Sequence, residues 1–276
     1  MDLILVCLAS LLAGCIDAIV GGGGLVLVPA LLATFPNSHP ATLFGTNKAA
    51  SVWGTSLASW QYSRRVTIRW KSLGPAAVAG FMAALLGAWL VTMASSEFLR
   101  KLLPFVMLAV LLYTLHKKEL GRAHAPRHNG LTEAIVAIGI ALVIGLYDGF
   151  FGPGTGSFFV FCLVRFLGYD FLHASASAKL LNVATNLAAL LLFSLKGHIW
   201  WHFALPMALC NVAGSWAGTH LALKHGAGFV RTIFMLVVSA LILKTTYDAF
   251  VVAPAGHSAT HTAQIQPKLL QPGHFG

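Results

Sequence analysis

GCIDAIVGGGGLVLVP at residues 14–29 and GLYDGFFGPGTGSFFV at residues 145–160 decide how this chain folds. In each, an Asp follows a Gly by three residues and precedes a glycine-rich break inside apolar sequence. Asp17 and Asp148 stand 131 residues apart (148 − 17 = 131). The same offset carries Lys48 onto Lys179, Trp70 onto Trp201, Pro75 onto Pro206, Gly87 onto Gly218 and Arg100 onto Arg231. No gap is needed, so the chain reads as a tandem repeat of two halves. A broken apolar segment at matching positions of two repeats is the sequence pointer to a secondary transporter's binding site.

Working outward, composition sets the class. Of 276 residues, 57% are hydrophobic and 9% charged, against about 25% charged in soluble domains. The apolar runs reach the roughly 20 residues that a bilayer-crossing helix needs. The alternation of a transmembrane β-barrel, in segments of about ten residues, is absent. The expected class is all-α, a polytopic helical membrane protein embedded in a lipid bilayer. Two tandem repeats of about four transmembrane helices each are expected, with broken helices or half-helices at the glycine-rich segments.

The net charge of +10 does not point to nucleic acid. The basic residues fall in short connections between apolar spans, and no basic domain with interleaved aromatics is present. Cys7, Cys15, Cys162 and Cys210 are single and lie in apolar runs, so they read as small core residues rather than a disulfide frame or zinc site. Asp2 stands where a signal peptide would be positive, so residues 3–20 read as a retained first helix.

Gly21 to Gly24 then weaken any helix, at about 1 kcal/mol each relative to Ala. Residues 25–62 would run about 57 Å as one helix, against a hydrocarbon core of about 30 Å. Pro36 and Pro40 mark the break, giving a half-helix near 25–35 and a full helix near 40–62. Spans near 73–93 and 98–116 follow. The second half repeats the plan with a span at 132–150, a break at 152–156, a half-helix to about 166, a long helix near 170–195, and spans near 199–222 and 228–250. Gly168 and Asp170 supply the turn and helix cap before the long helix. The units are therefore repeat 1 over 1–116, a cytoplasmic linker over 117–131, repeat 2 over 132–250 and a tail over 251–276 expected to be disordered.

Counting four long helices per half predicts that both halves share one orientation. The connections on one side hold ten basic residues, among them Arg64, Arg65, Arg69, Lys71, Lys117 and Lys118. The opposite turns hold Arg100, Lys101, Lys224 and Arg231. That bias predicts both termini in the cytoplasm.

Three features inside the apolar sequence bear on chemistry. The breaks at Gly21, Gly22, Gly23 and Gly24, and at Gly154, Thr155 and Gly156, are the first. Where a helix resumes after a break, free N–H groups and the helix dipole favour an anion; the alternative is that the glycines serve close helix packing. The second is a polar stripe. Lys48, Ser51 and Thr55 share one helix face, and their offset partners Lys179, Asn182 and Asn186 are polar too. Thr46 maps onto Ser177, and Asn47 adjoins Lys48. Both lysines would lie about 12–14 Å into their helices, near the membrane midplane. A charge there needs a partner or a wet cavity. Two cations lining an anion path is one reading, and structural ion pairs with Asp17 and Asp148 is the other. The third is those two carboxyls, candidate proton carriers or permanent counter-ions. No metal-ligand spacing, cofactor fingerprint or nucleophile–base set is visible. No metal or cofactor is expected, and the chain does not read as an enzyme.

DAIVGGGGLVLVPALL, GTNKAAS and GLYDGFFGPGTGSF together resemble the TauE/SafE sulfite-exporter family, over about residues 3–250. The resemblance implies a bacterial inner-membrane carrier of a small sulfur-containing anion such as sulfite or an organosulfonate. Here the second half departs from a four-glycine tract, with Gly152, Pro153, Gly154, Thr155 and Gly156. A proton-coupled secondary transporter is the leading expectation. A passive anion channel or a membrane-embedded scaffold are the alternatives.

Overall fold

The computed structural model describes residues 1–95 and 127–247, and the side chains of 231, 234, 235 and 237–247 stand outside that description. The expected span at 98–116, most of the linker and the tail lie outside the described residues. Within them every regular element is helical. Helices α1 (Asp2–Val20), α2 (Gly24–Thr34), α3 (Pro40–Ser63) and α4 (Trp70–Met93) come first. Then follow α5 (Gly130–Phe150), α6 (Thr155–Cys162) with a π-helical turn at Leu163–Leu167, α7 (Phe171–Leu195) and α8 (Trp201–Tyr247). Gly226 (φ 72°, ψ −166°) breaks α8 between the two spans expected there.

Helices α1, α4, α5 and α7 are each long and apolar enough to cross a membrane. The 24-residue α3 is long enough as well, but it carries its lysine and amides inward and shows Trp53 and Trp60 outside. Trp70 and Trp201, the first residues of α4 and α8, stand half-exposed as interfacial anchors.

The ends of the elements follow from local chemistry. Gly21 closes α1 in the left-handed region (φ 79°), with its N–H on Asp17 O at 2.8 Å. His39 caps α3 by accepting from Ala41 N, and Pro40 occupies the first helical position. Asp170 caps α7, accepting from His173 N at 2.8 Å. The starts of α2 and α6, α3 and α7, and α4 and α8 are each 131 residues apart (155 − 24, 171 − 40, 201 − 70).

The short helices do not continue across the membrane; they turn back. Leu27 and Leu31 of α2 pack beside Ala13 and Val6 of α1, and Phe35 reaches Trp200 and Phe203. Likewise α6 leaves Tyr147, whose ring meets Phe158, and descends α5 until Tyr169 donates to Glu133. Each break therefore makes a helical hairpin, and a hairpin adds no net crossing.

That corrects the expectation of one shared orientation. The start of α1, the start of α3 and the start of α8 lie at one end of the bundle, end A, where Val6, Leu43 and Met207 form one cluster. The start of α5 lies at the opposite end, end B. There Arg69, just before α4, meets Glu133 Oε2 at 2.8 Å and Asn129 Oδ1 at 3.2 Å, and Arg127 N donates to Leu167 O. So α1 and α5 enter from opposite ends. The N-terminus and the linker's last residues cannot share a side, whichever side that is.

Contacts between the halves hold the bundle together through small residues. Gly14 of α1 lies against the backbone of Asn211 on α8, and its offset counterpart Gly145 of α5 lies against Gly80 of α4. In both interfaces the backbones touch because no side chain separates them. The two breaks also cross directly, with Gly21 on Gly156, and Ser157 N donates to Gly21 O at 3.0 Å.

Two outcomes follow. Reporter tags at the N-terminus and within residues 127–130 should give opposite sides of the membrane; matching signals would overturn the hairpin reading of α1–α2. Gly156→Ala puts a methyl onto the Gly21 backbone, and Gly21→Ala adds left-handed strain. Either should reduce folded yield in size-exclusion profiles, whereas Gly139→Ala, which has open space around it, should not.

Candidate functional site

Asp17 and Asp148 sit in the last turns of α1 and α5, just before the breaks. Lys48 and Lys179 sit eight residues into α3 and α7 (48 − 40, 179 − 171), about 12 Å along each axis. The fold brings these four together in two sets. Lys48 Nζ donates to Asp148 Oδ1 at 2.6 Å and to Asn186 Oδ1 at 2.7 Å. Lys179 Nζ donates to Asp17 Oδ2 at 3.1 Å, and Thr55 Oγ1 donates to that same oxygen at 3.2 Å.

The pairing crosses the halves. Lys48 comes from the first half, and its partners Asp148 and Asn186 from the second. Lys179 comes from the second, and Asp17 and Thr55 from the first. Adding 131 to Lys48, Asp17 and Thr55 gives Lys179, Asp148 and Asn186, so the two sets are counterparts in sequence as well as in geometry. All four ionised groups are buried, with both lysines and Asp148 at 3% exposure or less. Each set is neutral overall, which is what a low-dielectric surrounding requires of buried charge.

Between the sets lies a cavity of about 30 Å³, room for about two ordered waters. Its wall takes Asp17, Gly21, Gly23 and Gly24 from the first hairpin, and Asp148, Gly152, Thr155 and Gly156 from the second. The long helices add Asn47, Lys48, Ser51 and Thr55 from α3, and Asn182 and Asn186 from α7. Both α2 and α6 begin at this wall, so two helix N-termini face the same space. Three buried acceptors at the wall have no partner: Asn47 Oδ1, Asn182 Oδ1 and Asp148 Oδ2. Buried polar atoms are rarely left unpaired without reason, so the cavity is built to be filled by something polar.

Not every expected residue reaches the cavity. Lys179 is fully buried behind Asp17 and does not line it. Ser177 is buried in α7 away from it, and Gly154 serves as the left-handed cap of α6. Gly22 lies in the break but outside the wall. Thr46 accepts from Trp200 N at 3.0 Å and donates to Thr42 O, fastening α3 to the start of α8. One polar lining residue was not visible in the sequence pattern. Asn211 of α8 enters the wall while its Nδ2 donates to Ser10 O at 3.1 Å. Its offset counterpart is Gly80, so the repeat could not flag it; its only signal is an amide within the apolar run of α8.

A polar, neutral cavity at the crossing of two helix breaks, inside an apolar helical bundle, defines a membrane transporter rather than an enzyme. The chain belongs to the sulfite exporter TauE/SafE family, whose family model matches residues 6–245. It is 34% identical over 240 residues to a probable membrane transporter protein, ORF9, of Sinorhizobium sp., covering 87% of this chain and 90% of that one. It is 34% identical over 241 residues to the probable membrane transporter protein YfcA of Escherichia coli strain K12, covering 87% and 88%. A probable membrane transporter protein of Haemophilus influenzae is 34% identical over 236 residues, covering 86% and 91%. No solved structure gives a significant match.

The ion pairs carry a stability test. Lys179→Gln strands the buried Asp17 carboxylate, which should cost about 3–5 kcal/mol. Adding Asp17→Asn removes the orphan charge and should recover most of that loss. Thermal melting of the purified single and double variants in detergent measures both. A Lys179→Gln protein that melts with the wild type would deny the pair its structural weight.

Proposed function

We propose that this chain is a secondary transporter of a small sulfur-containing anion, sulfite-like in size and charge, acting as an exporter from the bacterial cytoplasm. The observation that carries the reading is the cavity: a lysine ammonium, two helix N-termini and amide groups converge on it at the junction of both halves. Helix N-termini and a cation attract an anion, while the amides and hydroxyls offer hydrogen bonds to its oxygens. The dimensions favour the inorganic end of the class. Room for about two waters suits a compact oxyanion better than a sulfonate carrying an organic tail.

The substrate-binding set proposed here is Gly21, Gly23, Gly24, Asn47, Lys48, Ser51, Thr155, Gly156, Asn182 and Asn186, with Asn211 added. Gly22 and Gly154 act one step removed by shaping the breaks, Lys179 by holding Asp17, and Thr46 by fastening α3 to α8, while Ser177 lies buried away from the cavity. Asp17 and Asp148 remain the proposed proton carriers. The matched elements 131 residues apart, entering from opposite ends, support reading the chain as an inverted duplication. In such carriers the two halves rock about a central site. A cavity with room for only about two waters favours that mechanism over an open passive pore.

The charge distribution supports one orientation over the other. Among the described residues, Arg64, Arg65, Arg69, Lys71 and Arg127 gather at end B, against Lys196 at end A. The positive-inside tendency then puts end B in the cytoplasm and the N-terminus on the outer side of the inner membrane.

Proteoliposomes loaded with sulfite, sulfate or methanesulfonate, with and without a pH gradient, test the proposal. Sulfite efflux above protein-free vesicles is expected. Lys48→Gln should weaken substrate affinity by about ten- to hundredfold, the size of one lost charge-assisted hydrogen bond. A well-folded Lys48→Gln protein with unchanged affinity would remove the lysine from the site.

A further inference from the structure

Resting on the anion reading of the cavity, we propose that Asp148 is the built-in competitor of the substrate. Its carboxylate occupies Lys48 when the site is empty, and the anion takes its place on Lys48 only as Asp148 accepts a proton.

The two Lys–Asp sets are counterparts in sequence, but they are unequal in the structure. Lys48 lines the cavity; Lys179 does not, because Asp17 stands between it and the space. The Asp17 oxygen that meets Lys179 also accepts from Thr55, so that oxygen has two partners. Asp148 engages Lys48 through Oδ1 alone, and its Oδ2 is buried with no partner. An anion entering the cavity therefore meets one reachable ammonium, already neutralised by a carboxylate with a bare second oxygen.

Charge decides what happens next. With Lys48 and Asp148 both ionised, the set is neutral, and a bound anion would leave a net negative charge in a low-dielectric site. Protonation of Asp148 removes that obstacle. It neutralises the carboxylate, which has an unpartnered Oδ2 to take the proton, and so releases Lys48 from its counter-ion. Lys48 then donates to the anion, and the site with a monovalent substrate is neutral again. The proton comes from the aqueous phase with the anion and leaves with it on the other side, when the Lys48–Asp148 pair re-forms. One proton therefore travels with each monovalent anion.

The groups facing Asp148 are consistent with this exchange. Helix α3 presents Lys48, α7 presents Asn186, α6 presents Thr155, and the neighbouring Tyr147 donates to Pro153 O at 2.6 Å. Helix α4 packs on α5 through Gly80, Ala84 and Gly87, which bring no charge. Asp17 faces the cavity from α1, already engaged by Lys179.

The test is calorimetric binding of sulfate and methanesulfonate, which do not titrate between about pH 5 and 9, to the purified full-length protein. Buffers of different ionisation enthalpy report the protons taken up. The wild type should take up about one proton per methanesulfonate, with affinity falling about tenfold per pH unit on the alkaline limb. Asp148→Asn, neutral at every pH, should still bind but take up no proton and lose the pH dependence. Asp170→Asn, an equivalent helix cap far from the cavity, should behave as wild type. Proton-free, pH-independent binding by the wild type would overturn the competition. So would proton uptake that survives in Asp148→Asn. If that variant does not fold, the wild-type proton count decides alone. Failure of the wild type to bind sulfate, methanesulfonate or sulfite at any of these pH values would instead overturn the anion reading, and the competition with it.

Discussion

Four ionised side chains sit in the interior of an apolar bundle, and each must be neutralised within a few ångströms or the chain cannot stay folded in a membrane. Lys48 on Asp148 and Lys179 on Asp17 meet that requirement by reaching from one half into the other. Much else follows from this. The ion pairs act as clasps between α3 and α5 and between α7 and α1, so neither half is electrically complete alone. The hairpins must end where they do because each carboxyl has to arrive at the depth of a lysine eight residues into the facing long helix.

Glycine makes that arrangement possible. Lysine and carboxylate lie a hydrogen bond apart only if the backbones carrying them approach closely. At the breaks, Gly21 meets Gly156, and along the flanks Gly14 meets Asn211 and Gly145 meets Gly80. In lipid there is no hydrophobic gain from bringing apolar helices together, so close backbone contact and interhelical polar bonds supply the cohesion. The same glycines place the starts of α2 and α6 beside the cavity. Packing and anion attraction are thus two consequences of one set of small residues, and the two readings of the breaks do not exclude each other.

Matched sequence has not produced matched chemistry. The second break replaces four glycines by Gly-Pro-Gly-Thr-Gly, and α6 is shorter than α2 and ends in a π-helical turn. One lysine opens on the cavity and the other is sealed. Asn211 has a glycine as its counterpart, and the Arg69–Glu133–Tyr169 cluster at end B has Trp200, Asp2 and Ser38 at the corresponding positions of end A. A carrier whose two halves must present different surfaces to opposite sides of a membrane has reason to depart from symmetry at its ends and at its binding wall.

Sequence alone determined the class, because composition and span length are set by the solvent that the side chains must face. It also determined the positions of the breaks, since Gly21 to Gly24, Pro36, Pro40 and Asp170 act within a turn or two of where they stand. The 131-residue offset by itself singles out Asp17, Asp148, Lys48 and Lys179, because burying a charge is costly enough to be conspicuous in an apolar run. What tertiary structure decided was who meets whom. Nothing local says whether a half-helix continues or turns back, and that choice reversed the orientation of one half relative to the other. It made the ion pairs cross between the halves, sealed Lys179, exposed Lys48 to the cavity and drew in Asn211. Those outcomes depend on contacts between residues a hundred or more positions apart, where spacing along the chain carries no information about distance in space.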